Sequence, residues 1–220
     1  MTDALLWKAT RPDGTTRNGV AWTVGATVVH PTSHRMVRGD PSTFLSLSAE
    51  PGETLIGRGW PCRLLRVRPV GEVLGSDRHP HKRCVLAAKV VEEVPAWQAL
   101  GPNGRTVAAV IKRCRTLTGD ELNRLSAVGD AVGNAVGNAV GNAAWIAAWD
   151  AARNAARNAA RDAARNAAGN AAGNAAGTAA VRDLIAPEHY DLLAGPLISV
   201  VGPLEELPVP AWVDEIECAP

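Results

Sequence analysis

Small apolar residues and polar residues alternate with a period of four along one segment of this chain. From residue 127 to residue 182, each tetrad opens with two residues that are Ala or Val, and most tetrads close with Asn or Asp. The third position runs in blocks of Gly, Trp, Arg and Gly again. A repeat of this kind predicts a repetitive physical surface rather than a catalytic pocket.

The tetrads predict a helix with distinct faces. Four residues exceed one helical turn by about 40°, so the third position winds slowly around the helix, and the two glycine blocks share a face about ten turns apart. The interaction residues expected on this face are Gly133, Gly137, Gly169 and Gly173. Those expected on the other sides are Trp145 and Trp149, then Arg153, Arg157, Arg161 and Arg165. Because small residues allow close helix packing, the repeat predicts a homo-oligomer.

Both ends of this helix carry sequence signals. Thr118-Gly119-Asp120-Glu121 has the form of a capping box, which predicts a helix start. Pro187 predicts the stop, because proline disfavours helix at the residue before it. One continuous helix of about 65 residues would be roughly 100 Å long. The alternative is a helical hairpin or trio broken at the glycines, since each interior Gly costs about 1 kcal/mol relative to Ala.

The first 117 residues carry shorter patterns of both helix and strand. We expect strands at residues 4–10, 21–30, 44–48, 63–70 and 84–94. Basic and apolar residues alternate over 63–70, which favours an edge or half-exposed strand. We expect a short helix within 48–57, with Ser48 as its cap and Pro51 in its first turn, and an amphipathic helix over 106–117.

These patterns predict an α+β fold in three parts. A small mixed head domain covers 1–117, a long alanine-rich helix or helical hairpin covers 118–186, and a short C-terminal segment covers 187–220. The respective net charges are close to +8, zero and −7, counted with a first boundary at residue 118. The acidic segment also contains Leu204, Leu207 and Trp212, so we expect it to dock on the basic head. The alternative is a head and an arginine row that bind nucleic acid or another polyanion.

Location and cofactors are predicted mainly from missing signals. The N-terminal residues lack a basic region followed by an apolar run, and no uninterrupted apolar stretch reaches about 20 residues, so we expect neither a signal peptide nor a membrane partner. The four cysteines lack framework spacing, which favours free thiols and a cytoplasmic location. The histidines around positions 30–34 and 79–81 match no metal motif, so we expect no metal and no cofactor.

One set of residues resembles an enzyme family. Arg11 ends the first predicted strand, Ser46-Leu47-Ser48 lies on a later strand, and Glu92 or Glu93 lies on the last. This order resembles the ADP-ribosyltransferase fold. The resemblance implies that Arg11 binds the phosphates of a dinucleotide, that Ser46 and Ser48 order the site, and that Glu92 stabilises an oxocarbenium-like centre.

A second resemblance covers about half of the chain. The strings WKATRPDG, FLSLSAEPGETLIG, WPCRLLRV and KRCVLAAKVVEEVP resemble an uncharacterised domain of actinobacterial and actinophage proteins. The later string VRDLIAPEHYDLLAGPLISVVGPLEELP resembles a segment that follows alanine-rich tetrads in such proteins. The resemblance implies no particular activity. The sequence therefore predicts a non-enzymatic self-assembling or interaction protein of phage or actinobacterial type, with a nucleic-acid-binding protein and an ADP-ribosyltransferase-like enzyme as alternatives.

Overall fold

The computed structural model describes residues 4–16, 18–55, 60–76, 79–125 and 169–211. The described residues up to Ala99 form one compact unit, and those from Leu100 onward form another. We call them the sheet unit and the helical unit. The predicted amphipathic helix, which we expected within the head, belongs to the helical unit. The expected interaction residues from Gly133 to Arg165, and Trp212, lie outside the described residues.

The sheet unit contains seven described strands, all paired antiparallel in the order β2-β7-β4-β1-β3-β6-β5. Their bounds are β1 Leu6–Thr10, β2 Thr27–Val29, β3 Leu45–Ser48, β4 Arg63–Val70, β5 Leu74–Gly75, β6 Lys82–Val85 and β7 Ala87–Val94. Short 3-10 helices lie at Pro41–Thr43, Gly52–Leu55 and Ala96–Leu100. Together with the α-helices of the helical unit, described below, these strands confirm a mixed α+β fold.

One face of the sheet forms the apolar core, and alternation along each strand places it there. The core residues are Leu6, Trp22, Val28, Leu45, Leu47, Leu65, Val67, Val85, Ala88 and Val90. β7 has one extra residue relative to β4, at Val91. Arg66 pairs with Glu92, whereas the next residue, Val67, pairs with Val90. This bulge keeps Val90 on the core face and Glu92 on the opposite face.

Two cationic side chains of the sheet unit are buried or half-buried with partners. The Lys8 amine donates to the Ser46 carbonyl at 2.8 Å and lies 4.9 Å from the centre of the Trp22 ring. The Arg63 guanidinium donates to both carboxylate oxygens of Glu93, at 2.9 and 2.5 Å. Buried charge is tolerated when it is paired in this way.

Three strand predictions need correction. β4 lies inside the sheet between β7 and β1, so it is not an edge strand. The other alternative, a half-exposed strand, is confirmed: Arg66 and Arg68 lie on the face opposite Leu65 and Val67, with Arg66 half-buried and Arg68 exposed. The expected strand at 84–94 divides at Leu86, where β6 ends and β7 begins in distant positions of the sheet. Within 21–30 only Thr27–Val29 is a strand, because Gly25 turns the chain with φ of 84°.

The helix expected within 48–57 is also different. Ser48 belongs to β3, and its hydroxyl accepts a hydrogen bond from the Lys82 amine at 2.9 Å. The same amine donates to the Glu53 carbonyl at 2.5 Å. A 3-10 helix, Gly52–Leu55, follows instead of a helix capped by Ser48. The Ser48 side chain, predicted to cap a helix, is therefore hydrogen-bonded to Lys82 on the neighbouring strand instead.

The helical unit begins with the predicted amphipathic helix, α1, at Gly104–Arg115. The capping box is confirmed, and residues 119–125 are helical. The Thr118 hydroxyl accepts from the Glu121 amide at 3.3 Å, and the Glu121 carboxylate accepts from the Thr118 amide at 2.8 Å. These reciprocal bonds satisfy two donors that a helix start leaves free.

The last tetrads form α2, Gly169–Ala180, which contacts both α1 and a third helix, α3, at Pro187–Val201. Short 3-10 helices follow at Arg182–Leu184 and Leu204–Glu206, and the second one contacts α1. Ala186 is extended, as expected before Pro187, but the helix of tetrads ends six residues earlier than predicted. α2 ends at Ala180, and Pro187 begins α3, where its missing amide hydrogen costs nothing. A single long helix through all tetrads stays a prediction.

Candidate functional site

The face of the sheet opposite the core carries a row of polar and aromatic side chains. Residues directly opposite each other on antiparallel strands point to the same face. The register pairs Glu92 with Arg66, Arg66 with Trp7, Trp7 with Ser48, and Ser48 with Lys82. One row therefore crosses five neighbouring strands, from β7 to β6.

At the centre of this row, Arg66 lies over Trp7. The guanidinium carbon is 4.2 Å from the centre of the indole ring. Both side chains are half-buried. A cation over an indole face at this distance contributes about 0.5–1 kcal/mol at a partly exposed site. The contact stacks a flat cation over one face of a flat aromatic group, on the face of the sheet opposite the core.

Two further rows extend this surface toward β2. Thr27, Lys89 and Arg68 form the next row, and all three are exposed. Alternate residues on a strand are about 6.7 Å apart, which sets the distance between Arg66 and Arg68 along the backbone. The row beyond is apolar, with Val29 60 % exposed and Val70 46 % exposed.

We call six of these residues the basic face: Trp7, Thr27, Arg66, Arg68, Lys89 and Glu92. It carries three cations and one carboxylate. Within the described part of the chain, neither Arg68 nor Lys89 forms an ion pair. Neither Trp7 nor these individual cations were predicted from the sequence as site residues. The basic alternation in β4 was the available signal, whereas the pairing with Trp7 depends on residues that are distant in sequence.

The structure brings only part of the ADP-ribosyltransferase-like set together. Ser46 and Ser48 lie on one face of β3, two positions apart, and Ser48 is buried against Lys82. Glu92 is exposed on β7, and β4 and β1 lie between β7 and β3. Three strand spacings amount to about 14 Å, so Glu92 and the serines do not share a cluster. Arg11 is exposed beyond the end of β1, about 13 Å along the chain from Trp7.

His30 and the three described cysteines are buried. The Nδ1 atom of buried His30 accepts a hydrogen bond from the Ser33 amide at 2.9 Å. Within the described ranges, no three His, Cys, Asp or Glu side chains gather as a metal site would need. The buried cysteines are Cys62, Cys84 and Cys114. Burial raises the pKa of the Cys114 thiol to about 12, so it stays protonated and unreactive near neutral pH.

The described end of the tetrad repeat is a packing surface. Both alanines of two successive tetrads are buried, with Ala175 and Ala176 at 0 %, Ala179 at 1 % and Ala180 at 2 % exposure. Gly173, one of the expected interaction residues, is also buried, and Gly169 is the first residue of α2. Because α2 contacts α1 and α3, this end of the repeat already packs within its own chain.

A polar cluster joins the end of the repeat to the C-terminal segment. The Tyr190 hydroxyl donates to the Glu205 carboxylate at 2.8 Å, and the Arg182 guanidinium donates to the same oxygen at 2.5 Å. Arg182 also lies 5.3 Å from the centre of the Tyr190 ring. Burial raises the pKa of Tyr190, and the hydrogen bond to Glu205 adds to this shift. Burial also opposes ionisation of Glu205, but its hydrogen bonds and Arg182 lower its pKa overall.

Comparison with known proteins adds no assignment to this geometry. No family model, curated protein or solved structure gives a significant match to the chain. In the described residues, no helix is both long enough and apolar enough to cross a membrane.

Proposed function

We propose that this protein is a non-enzymatic assembly protein, of the actinobacterial or actinophage type that its motifs resemble, in which the tetrad repeat associates with the repeat of a second copy. The observation that carries the proposal is the burial of both alanines in two successive tetrads of α2. These tetrads pack helix against helix, and Gly177 and Thr178, which lie between the two alanine pairs, are buried as well. The upstream tetrads have Ala at the first position and Ala or Val at the second.

Self-association follows from how little each tetrad can bury alone. Alanine offers little apolar area, and burial contributes roughly 25 cal/mol for each Å² removed from water. Glycine at the third position weakens an isolated helix further, by about 1 kcal/mol for each residue relative to alanine. A helix of such tetrads needs a long, close contact with a partner, and glycine permits that closeness. A second copy of the chain supplies a partner with the same pattern.

The test is the mass of the full chain in solution, measured by sedimentation equilibrium at micromolar concentration. We expect an oligomer. The double variant Gly133→Leu/Gly137→Leu should reduce the mass toward that of the monomer, because leucine side chains hold the helices apart. Leucine favours helix more than glycine does, so a loss of assembly cannot be attributed to a weaker helix.

The matched control is Asn134→Leu/Asn138→Leu, which adds the same side chains one position later. We expect it to retain the oligomer. A monomeric wild-type chain would refute the assembly proposal. Equal masses for the two double variants would refute the glycine face as the contact.

A further inference from the structure

We propose that the basic face of the sheet unit binds single-stranded nucleic acid. This inference rests on the described strands alone and is independent of assembly through the repeat. Two observations carry it: three cations on one face of the sheet, of which Arg68 and Lys89 are exposed, and a half-buried indole ring in contact with the third, Arg66. Phosphate groups and unstacked bases are the two chemical features of a single strand that this combination fits.

The phosphate contacts come from Arg68 and Lys89. These residues face each other across β4 and β7, with Cβ atoms about 5 Å apart, and both are exposed. Neither forms an ion pair in the described part of the chain, so binding a phosphate there breaks no existing contact of that kind. Thr27 stands beside Lys89 in the same row and adds a hydroxyl that can donate to a phosphate oxygen.

The base contact comes from Trp7 and Arg66. Indole rings and guanidinium planes both stack on bases, and here they lie within 4.2 Å of each other. A double helix keeps its bases stacked inside, so this pair favours a single strand over a duplex. It also favours a nucleic acid over a polyanion without bases, such as heparin or an anionic membrane surface.

Glu92 limits where the strand can lie. Its carboxylate shares a row with Arg66 and Trp7, on the side of β7. A phosphate is repelled there, and the row of Arg68 and Lys89 lies about 6.7 Å further along the strands. The sugar-phosphate backbone of the nucleic acid is therefore expected over Arg68 and Lys89, with a base directed toward Trp7.

The experiment measures binding of the full chain to a short fluorescein-labelled oligo(dT) by anisotropy across a range of salt concentrations. Arg68→Ala/Lys89→Ala should weaken binding roughly tenfold and make the slope of log K against log salt shallower by about 1.4, because each lost phosphate contact removes about 0.7. Arg35→Ala/Lys112→Ala removes one Arg and one Lys from exposed sites elsewhere and should retain the wild-type slope.

The stacking contact is tested with Trp7→Ala and Trp7→Phe. The first should weaken oligo(dT) binding about tenfold without changing the salt slope, and the second should restore much of the affinity. Circular dichroism checks that each variant folds. If Trp7→Ala does not fold, the double variant Arg68→Ala/Lys89→Ala still tests the surface, because both residues are exposed.

Four outcomes overturn the proposal. They are no binding of oligo(dT) by the wild-type chain, equal losses in the two double variants, tighter binding of a duplex than of the single strand, and heparin competing equally well against wild type and a folded Trp7→Ala. The last outcome would assign the face to polyanions without bases.

Discussion

The sheet unit and the helical unit form their cores with side chains of opposite size. In the sheet unit, leucine, valine and one tryptophan fill the space beneath the strands. In the helical unit, α2 contributes mainly alanine and glycine, and the larger residues come from α1, α3 and the segments that contain Leu100, Leu125 and Leu204. The first core depends on volume, so removing atoms should damage it most. The second depends on close approach of backbones, so adding atoms should damage it most.

The largest effect is expected from Leu65→Ala. Leu65 is 0 % exposed in the core of the sheet unit, and truncating such a residue costs about 2–5 kcal/mol. Urea denaturation measures the loss, and hydrogen exchange shows whether peptides of the sheet unit lose protection. Val29→Ala is the control, because Val29 is 60 % exposed and should change stability by less than about 0.5 kcal/mol. Similar losses in both variants would contradict a core filled by volume.

The second-largest effect is expected from a substitution that adds atoms to a core instead of removing them. Ala179→Leu adds atoms where α2 packs, and Ala179 is 1 % exposed, so overpacking should cost about 1–3 kcal/mol. Ala211→Leu makes the same substitution at an exposed residue and should be nearly neutral. Hydrogen exchange in peptides of α2 and α3 measures the difference. Unchanged protection in Ala179→Leu would show that close helix approach does not hold this unit together.

Tyr190→Phe separates polar from apolar stabilisation in the helical unit. It removes the hydrogen bond to Glu205 and should cost about 1–2 kcal/mol near neutral pH. The folded pKa of Tyr190 is raised above the ordinary value of 10.0, so the stabilisation is present below pH 10 and decreases as pH rises above it. Thermal denaturation at neutral and alkaline pH should therefore show a smaller difference between wild type and variant at high pH. A constant difference would place the stabilisation elsewhere.

The smallest effect concerns the capping box. Thr118→Ala should cost about 1 kcal/mol at pH 7. Hydrogen bonds from Thr118 and Arg113 lower the pKa of Glu121 below 4.5, so its contribution is present above that pH and decreases as pH falls further. Glu121→Gln should remove this acid dependence, which titration of helical circular dichroism can follow. Asp13→Asn tests the same chemistry in the sheet unit, where hydrogen bonds from Thr15 lower the pKa of Asp13. Equal acid sensitivity in Glu121→Gln and wild type would exclude Glu121 as the source.

Local signals predicted local structure well. The apolar positions at helical spacing gave α1 within two residues of its observed ends, and Thr118 with Glu121 forms the predicted capping box. The position of β4 inside the sheet could not be read in this way, because it depends on its pairing with β1 and β7. Pro187 was read only as a stop, although the same residue is well suited to begin a helix.

The sequence was similarly limited in what it could predict of the basic face. Trp7, Arg66 and Glu92 are far apart in sequence, and only the sheet register places them in one row. The basic alternation in β4 indicated an exposed face, but it did not indicate which aromatic residue would lie beside it. The four residues of the enzyme-like set followed chain order, and chain order differs from strand order in this sheet.

The extra residue at Val91 has a consequence for variation in chain length. On each side of Val91, the residues of β7 pair with β4 in a regular antiparallel register. Deleting Val91 would therefore leave Glu92 opposite Arg66 and Val90 opposite Val67. Relatives of this chain can differ by one residue at this point without moving any side chain to the wrong face, and an alignment of such relatives should place its gap there.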